Sequence, residues 1–307
     1  MLKFILRRLF LEALPTLFVI ATLTFFMVRL APGGPFSKEK AVSEEVQKRL
    51  DAYYGLDKPL VVQYGRYLAN VARGDLGPSF KHTTETVNSL IAGAFPVSLE
   101  LGLWALLFAI VFGLGAGVIA SLRPNTWTDA VPMTFAMAGI CISSFVLGPI
   151  LLLVFGLNLG WFNVAGWNTA GDRVLPAITL GAGYAAYLAR LTRAGMRDVL
   201  SQDFIRTAKA KGLSPARIIL VHALKGGLLP AVSFLGPATA GLITGTFVTE
   251  SIFQIPGLGQ IIVNAAFNRD YFLILGAVLF IGFIMIVMNL LVDVVQALMN
   301  PRLRLGE

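Results

Sequence analysis

Residues 202–230 read QDFIRTAKAKGLSPARIILVHALKGGLLP, a basic stretch within an otherwise strongly apolar chain. Asp203 is a favourable N-cap, and Gly212 is suited to the left-handed conformation that ends many helices. These signals predict a short helix over residues 204–211. Because two turns of helix are marginal alone in water, we expect this helix to pack against another surface and to act as a docking helix.

A second helix is predicted directly after the first. Ser214 would cap it, Pro215 suits its first position, and the Gly226–Gly227 pair would break it before the next apolar run. The alternative is a solvated basic loop lying against lipid headgroups. That alternative does not account for the caps around so short a helix.

The composition excludes an ordinary soluble protein. Of 307 residues, 56% are hydrophobic and 14% are charged, and the mean hydropathy is +0.75. These values are typical of a polytopic membrane protein. The net charge of +8 would favour nucleic-acid binding in a soluble chain, but the basic residues cluster beside apolar runs, so we expect no nucleic-acid partner. The single cysteine, Cys141, is interpreted as a small packing residue within an apolar run.

Six apolar runs are long enough to span a bilayer, which needs about 20 residues. The first runs from Leu9 to about Val28, and no small-residue cleavage site follows it. Residues 1–30 are therefore predicted to remain as a transmembrane anchor. The other predicted spans are Val97 to Leu122, Val131 to Leu157, Val174 to Met196, Leu228 to Val248 and Tyr271 to Leu298.

The distribution of basic residues predicts the orientation of these spans. With the N-terminus in the cytoplasm, the short outer loops hold only Arg173 and Arg269. The short cytoplasmic segments then hold Lys3, Arg7, Arg8, Arg123, Arg190, Arg193, Arg197, Arg206, Lys209, Lys211, Arg217, Lys225, Arg302 and Arg304. This excess places the docking helix and both termini in the cytoplasm, with residues 299–307 as a cytoplasmic tail.

The long segment over residues 31–96 has basic and acidic residues in near balance, and it is predicted to form a small helical layer outside the membrane. Its helices are expected over Ser43 to Tyr54 and Pro59 to Arg73. Gly55 and Gly74 are expected to end them.

Small residues recur within three of the predicted spans. In lipid, small residues let helices approach closely and pack. They predict tight packing, either within this chain or against a second subunit. The residues concerned are Gly113, Gly115, Gly117, Gly181, Ala182, Gly183, Ala185, Ala186, Gly241 and Gly245.

Two motifs resemble those of peptide permeases, which are membrane subunits of binding-protein-dependent type I ABC importers. The outer segment carries YGLDKP at residues 54–59 and GDLGPSF at residues 74–80, and it is similar to the first outer segment of that family. The run RTAKAKGL at residues 206–213 resembles the family's cytoplasmic "EAA" loop in its peptide-permease form. Here Arg-Thr-Ala stands for Glu-Ala-Ala, and HALK at residues 222–225 stands for Ile-x-Leu-Pro.

A third motif, TESIFQIPGLGQ at residues 249–260, is similar to the Glu-x-x-Phe-x-x-Pro-Gly-Leu-Gly motif of the same family. It is not a phosphate loop, because no Gly-Lys-Ser or Gly-Lys-Thr follows it. We interpret it as a turn at the outer mouth of the pathway. Glu250 has three open roles: an outer gate, a docking surface, or a structural role at a helix end. The candidate gate residues are Glu250, Phe253, Pro256, Gly257 and Gly259.

The last predicted span contains Asp293, in a pattern that resembles the C-terminal Asn-Leu-x-Val-Asp pattern of the family. An acid within a span is costly and marks function by default. A structural ion pair with Arg302 or Arg304 is the alternative. The two histidines, His82 and His222, predict neither a metal pair nor a histidine-based catalytic set.

Three classes of function fit a polytopic chain: a transporter subunit, a membrane enzyme and a passive channel. No sequence signature of a membrane enzyme is present, and a channel does not explain the capped docking helix. The chain also lacks Walker sequences, so we expect ATP and magnesium to be bound by partner subunits. We expect no cofactor, metal or catalytic residue in this chain.

The resemblance implies an all-α polytopic membrane protein with the type I ABC importer transmembrane fold. It implies six transmembrane helices, a coupling helix, a small extracytoplasmic helical segment, and a transmembrane domain over residues 97–298 with its coupling loop at 202–230. The implied partners are a homologous second permease subunit, two ABC ATPase subunits, an extracytoplasmic solute-binding protein, the peptide substrate and the lipid of a bacterial cytoplasmic membrane. The runs MLKFILRR at residues 1–8 and LAPG at residues 30–33 favour the oligopeptide branch over dipeptide, nickel or glutathione permeases.

The resemblance also implies that the coupling helix sits in a groove of the ATPase subunit. Phe204 and Ala208 are four residues apart on one helical face, and we predict that they occupy this groove with Ile205 beside them. Arg206, Lys209 and Lys211 are expected to orient the contact electrostatically. Asp203 and Gly212, at the two ends of the helix, are also candidate contact residues.

Overall fold

The computed structural model of the chain describes residues 9–30, 48–49, 52–82, 84–243 and 247–299. The helices that follow account for most of these residues, which confirms the predicted all-α fold. They are α1 (Leu14–Leu30), α2 (Leu60–Ala72), α3 (Val87–Leu122), α4 (Trp127–Cys141), α5 (Ser144–Leu151), α6 (Val174–Leu200), α7 (Asp203–Ala210), α8 (Pro215–Gly227), α9 (Leu229–Ile243), α10 (Phe247–Ile252), α11 (Leu258–Asn268) and α12 (Tyr271–Met299). A π-helical turn, Leu9–Ala13, precedes α1, another, Leu152–Asn158, continues α5, and a 3-10 turn, Ala170–Arg173, leads into α6.

Four continuous helices among the described residues are long and apolar enough to cross a membrane. They are Phe10–Leu30, Val87–Leu122, Ala170–Leu200 and Tyr271–Leu291. The count rises to 6 if the bent pair α4–α5 and the bent pair α8–α9 each form one span. Four of the six predicted spans correspond to continuous helices. The other two, Val131 to Leu157 and Leu228 to Val248, overlap bent pairs, and the second of these pairs begins at Pro215, before the predicted span.

The third predicted span, Val131 to Leu157, is wrong as a continuous helix. α4 and α5 meet at an angle of 107°, and between them Ile142 and Ser143 have extended backbones. The Ser143 hydroxyl accepts a hydrogen bond from the Phe145 backbone N–H and so caps a new helix. Apolar composition cannot reveal this break, because both halves remain equally hydrophobic.

The predicted break after the glycine pair is confirmed. Gly226 and Gly227 lie in the last turn of α8, and α9 starts after Leu228 at an angle of 54° to α8. The Ser214 hydroxyl accepts from the Arg217 backbone N–H, with Pro215 at the first position of the helix. Gly245 lies outside the described residues.

The chain divides into two compact units. The first unit comprises Met1–Pro96 and Gly257–Ile286. Its core is formed where apolar side chains of α3 meet those of α11 and α12, including Val87, Leu258 and Leu273. A second cluster packs Phe25 of α1 against Tyr67 of α2 and Leu275 of α12.

The expected ends of the outer helices are confirmed where the structure describes them. α2 begins after Pro59 and ends before Gly74, which has a φ of +77°. Gly55 has a φ of +68°, as its predicted role as a helix stop requires. Within the helix predicted over Ser43 to Tyr54, the structure describes residues 48–49 and 52–54, and both stretches are helical.

The second unit comprises Val97–Pro256 and Val287–Glu307. α6 lies at its centre and approaches α3 closely through small residues. A Cβ added to Gly113 would lie 2.6 Å from the Ala185 carbonyl oxygen, and one added to Gly117 would lie 2.6 Å from that of Ala189. These glycines therefore pack within this chain, whereas Gly115 faces open space.

Two further predictions concern Cys141 and Asp293. Cys141 is exposed, so its interpretation as a small packing residue is wrong for contacts within this chain. The backbone of α12 extends through Asp293, but the Asp293 side chain is not among the described side chains. Residues 1–8 and 300–307 also lie outside the described residues, and they include the basic residues Lys3, Arg7, Arg8, Arg302 and Arg304. The proposed pairing of Asp293 stays a prediction.

Candidate functional site

The docking helix predicted from the basic stretch is α7. It spans Asp203–Ala210, one residue earlier than predicted, and Gln202 occupies the N-cap position without a side-chain hydrogen bond. Asp203 is therefore the first helical residue and not the cap. At the other end Gly212 has a φ of +74°, as predicted for a left-handed stop.

A pair of backbone hydrogen bonds completes the end of α7. The Gly212 N–H donates to the Lys209 carbonyl at 3.0 Å, and the Leu213 N–H donates to the Ala208 carbonyl at 3.3 Å. This is the Schellman arrangement, in which a left-handed residue lets the chain turn back and satisfy carbonyls that the helix leaves unpaired. The helix end is thus fixed by backbone geometry.

The inner face of α7 anchors it to its own chain. Ile205 is fully buried and Ala208 is 6% exposed. They pack in one cluster with Met196 of α6 and with Ile218 and Ala223 of α8. The prediction that Ile205 and Ala208 occupy a partner's groove is therefore wrong for these side chains, because a two-turn helix needs its apolar positions to hold it in place.

The outer face of α7 combines one aromatic ring with several cations. Phe204 remains 46% exposed, and Arg206, Lys209 and Lys211 are all exposed. The ion pair between Arg206 and Asp203 is 3.3 Å long with both side chains largely in solvent, so it contributes little to stability. This face offers an apolar contact surrounded by positive charge.

Two further apolar side chains are exposed on α8, the helix that follows α7. Leu220 is 66% exposed and Val221 is 58% exposed, and both lie in the π-helical part of α8, Ile218–Ala223. Their exposure was not evident from the sequence, because both residues belong to the same apolar run as the buried Ile218. A π-helical turn alters the spacing of side chains, and the sequence offers no simple signal for it.

The second candidate site, around Glu250, is buried. Glu250 has no exposed surface, and the Ser98 hydroxyl donates to its Oε1 at 2.8 Å. Phe253, 2% exposed, packs in the cluster that includes Leu101 and Leu175. The docking-surface role for Glu250 is therefore wrong in this conformation, while the gate role and the structural role stay predictions.

The residues that follow Glu250 form the expected turn. Gln254 adopts a φ of +52°, and the Ile255 N–H donates to the Glu250 carbonyl at 2.8 Å. Gly257 has an extended backbone and precedes α11 directly, and Gly259 lies buried within that helix.

Two ion pairs in the second unit were not anticipated from the sequence. Arg193 of α6 forms a two-point contact with Asp129 of α4, at 2.5 and 2.6 Å. Arg173 donates to Glu100 of α3 at 2.8 Å, and the Trp167 indole donates to the same carboxylate at 3.0 Å. Residues so far apart in the chain give no local sequence pattern that pairs them.

Two cavities in the second unit share Tyr187 in their lining. One, of about 630 Å³, is lined by Arg190 and by the Asp129–Arg193 pair. The other, of about 400 Å³, is lined by uncharged side chains that include Ser143, Tyr184 and Phe234. No cluster of three or more histidine, cysteine, aspartate or glutamate side chains suited to a metal occurs in the described part of the chain.

Two known families together match residues 1–305 of the chain. The family described as "Binding-protein-dependent transport system inner membrane component" matches residues 86–305. A companion family, described as "Binding-prot-dependent transport system membrane comp, N-term", matches residues 1–102.

Curated relatives match over the full length. The chain is 50% identical to the oligopeptide transport system permease protein OppB of Haemophilus influenzae, over 99% of this chain and 100% of the relative. It is 45% identical to the dipeptide transport system permease protein DppB of Bacillus subtilis, over 100% of this chain and 99% of the relative.

A solved structure supports the same fold. A chain of the inward-facing MetNI methionine ABC transporter matches with a TM-score of 0.55 and 16% identity, covering 69% of this chain and 96% of that one. The chain thus contains the transmembrane fold of a type I ABC importer. Family match, full-length relatives and fold agree, and the chain belongs to the family of binding-protein-dependent transport system inner membrane components.

Proposed function

We propose that this chain is one of two related transmembrane subunits of an ATP-driven importer that carries oligopeptides across a bacterial inner membrane. The observation that carries the proposal is the 50% identity to an oligopeptide permease over 99% of the chain. The identity to a dipeptide permease is lower, at 45%. Permeases for dipeptides, nickel or glutathione are therefore the alternatives to be tested.

In this proposal α7 receives force from an ATPase subunit. Its inner face is bound to α6 and α8 through Ile205 and Ala208, so a displacement of α7 would move both helices with it. Its outer face offers Phe204 to an apolar pocket, and Arg206 and Lys209 to acidic groups at the rim of that pocket. ATP and magnesium belong to the partner, and this chain has no catalytic role.

The two cavities of the second unit are proposed to line part of the pathway. The smaller one is lined by Ser143, Tyr184 and Phe234, which would contact a peptide without binding its charges. In the larger one Asp129 and Arg193 neutralise each other, and Arg190 adds a positive charge. Weak contacts of this kind suit a permease whose selectivity comes from a separate binding protein.

The proposal places both termini in the cytoplasm, with α7 on the same side. The solute-binding protein would then dock on the opposite side, where the segment over residues 31–96 lies. The division of the chain into residues 1–30, 31–96, 97–298 and 299–307 depends on this topology, and it remains a prediction.

The test is uptake of a labelled hexapeptide into proteoliposomes that contain this chain, its sister permease, the ATPases and the binding protein. We expect ATP-dependent uptake that is lost when any one component is omitted. Uptake by this chain alone, with or without ATP, would indicate a passive channel and contradict the proposal. Absence of hexapeptide uptake by the complete assembly, together with ATP-dependent uptake of labelled dipeptide, glutathione or nickel, would assign one of the alternative cargoes.

A further inference from the structure

A cavity of about 440 Å³ in the first unit contains polar groups that the fold leaves without partners. Its lining includes Arg29 at the end of α1, Arg66 and Tyr67 of α2, and Phe272 of α12. The volume lies within the range of about 300–1,000 Å³ that is usual for small-molecule sites. No role proposed above uses this cavity.

Arg29 is held in a fixed orientation at this cavity. One of its terminal nitrogens donates to the Gln63 side-chain oxygen. The amide nitrogen of Gln63 donates in turn to the carbonyls of Leu56, at 3.0 Å, and Lys58, at 2.7 Å. The guanidinium lies over the Phe25 ring at 5.2 Å, so it is positioned before any ligand arrives.

Two buried donors in this cavity have no hydrogen-bond partner among the described residues. They are the Nε of Arg29 and the hydroxyl of Tyr67, and Tyr67 is only 6% exposed. Burial raises the pKa of the Tyr67 hydroxyl to about 12, so the group keeps its proton and can donate it to an acceptor. Leaving a buried donor unsatisfied is unfavourable, so an acceptor that reached both donors would stabilise the site.

The charges of the lining favour an anion. Arg29 and Arg66 bring two guanidinium groups, and Asp75 brings one carboxylate. That carboxylate already accepts from the Gly77 backbone N–H at 2.9 Å. Guanidinium groups bind phosphate and carboxylate oxygens with matching geometry.

The position of the cavity favours a lipid over a soluble anion. Arg29 is the penultimate residue of a membrane span, Phe10–Leu30, that is only 17% buried by its own chain. Leu23 and Met27 are 57% and 69% exposed on the same helix, so the part of the helix that leads to Arg29 offers acyl chains an apolar surface. Aromatic side chains around the cavity, such as Tyr54 and Phe272, are typical of the membrane–water interface.

We propose that this cavity binds the headgroup of an anionic phospholipid, with the phosphate accepting hydrogen bonds from Arg29 Nε and the Tyr67 hydroxyl. The bound lipid would tie α1 to α2 and so fix the helical layer to the membrane surface. The site is independent of the transported cargo.

The test is native mass spectrometry of the assembled transporter released from nanodiscs of phosphatidylglycerol or of phosphatidylcholine. Both lipids carry the phosphate, but the choline cation of phosphatidylcholine is repelled by the guanidinium groups of Arg29 and Arg66. We therefore expect the wild type to retain phosphatidylglycerol about tenfold more than phosphatidylcholine. Arg29→Gln should abolish this preference. Arg73→Gln, at an exposed arginine just after α2 and outside the cavity lining, should leave it unchanged.

A second variant keeps the test decisive if Arg29→Gln fails to assemble. Tyr67→Phe removes only the unpartnered hydroxyl, so it should reduce retention of phosphatidylglycerol several-fold while leaving the thermal midpoint in lipid-free detergent unchanged or higher. Equal retention by wild type, Tyr67→Phe and any assembled Arg29→Gln would overturn the proposal. So would displacement of the lipid by a free-acid hexapeptide but not by its C-terminal amide, because that result would assign the cavity to substrate carboxylates.

Discussion

Phe204 is the large apolar side chain on the outer face of α7, and it remains 46% exposed while Ile205 beside it is fully buried. An exposed aromatic ring surrounded by cations has the composition of an interface anchor. Replacing it with aspartate removes the apolar contact and adds a charge that must be desolvated. We expect Phe204→Asp to reduce peptide uptake at least tenfold while the complex retains ATPase activity, measured in the same proteoliposomes.

Ala210→Asp is the matched control, since Ala210 is exposed on the same helix. It adds the same charge without removing the ring, so uptake should fall by less than about twofold. Equal loss of uptake in both variants would mean that the charge of α7, and not Phe204, governs coupling.

The ion pair between Asp129 and Arg193 gives a second prediction at the scale of single residues, and it concerns stability. The Asp129 side chain is 6% exposed and that of Arg193 is 27% exposed, so neither can turn fully into water when its partner is lost. We expect Asp129→Asn to destabilise the assembled protein by about 1–3 kcal/mol, read as a lower thermal midpoint. The charge-swapped double variant, Asp129→Arg with Arg193→Asp, should recover part of that loss.

The solvent-exposed ion pair between Asp203 and Arg206 on α7 is the control for this prediction. Asp203 and Arg206 have 92% and 77% exposed side chains, so Arg206→Gln should change stability by less than about 0.5 kcal/mol. A similar fall in thermal midpoint for Arg206→Gln and Asp129→Asn would indicate that burial does not set the strength of these pairs.

At the scale of the element, α3 offers two glycines that differ only in what they face. A Cβ on Gly117 would lie 2.6 Å from both the Ala189 carbonyl oxygen and the Thr192 Cβ, whereas one on Gly115 would meet nothing within 4 Å. We expect Gly117→Ala to force α3 and α6 apart, at a cost of about 1–3 kcal/mol. Gly115→Ala should be neutral or slightly stabilising, because alanine favours the helix.

The thermal midpoints of the two variants, measured in one detergent, check this prediction. A larger loss for Gly115→Ala would indicate that this position contacts a second subunit more closely than Gly117 contacts α6. The comparison therefore also separates packing within the chain from packing between chains.

The elements also indicate which features a sequence can predict. Helix ends depend on local chemistry, so the stops at Gly212 and Gly74 and the cap at Ser214 were all predictable. The inward face of α7 was not predictable, because Phe204, Ile205 and Ala208 are each apolar enough to be buried. Ile205 and Ala208 are the buried ones because they pack against Met196 and Ile218 in the folded chain. The bend at Ser143 was missed for a related reason, since a serine within an apolar run is compatible with either a continuous or a broken helix.

Contacts between distant residues were the part that the sequence could not supply. Ser98 donates to Glu250 across 152 residues of chain, and Arg193 reaches Asp129 across 64. Each partner alone looks like an isolated polar residue near or within a span. Which of them meet depends on how the helices pack.

At the scale of the whole molecule, the remaining prediction is the orientation in the membrane. Positive charge is distributed unevenly along α6. Arg190, Arg193 and Arg197 lie near its C-terminal end. The residue before its first turn is Arg173, which is paired with Glu100. At 1.5 Å per residue, a helix of 27 residues is about 40 Å long, enough to place its ends on opposite sides of a bilayer. The excess of positive charge at the C-terminal end, which continues directly into α7, should hold that end in the cytoplasm.

Single cysteines on a Cys141→Ser background test this orientation. Lys209→Cys places a thiol on the exposed face of α7, and Asn163→Cys places one in the exposed loop before α6. A membrane-impermeant maleimide should label only Asn163→Cys in right-side-out vesicles and only Lys209→Cys in inside-out vesicles, while detergent-solubilised protein should label at both sites. The reverse pattern would place α7 outside the cell, beyond the reach of any ATPase. The coupling role of Phe204 would then fail together with the topology, because a helix can transmit the force of ATP hydrolysis only from the side on which ATP is hydrolysed.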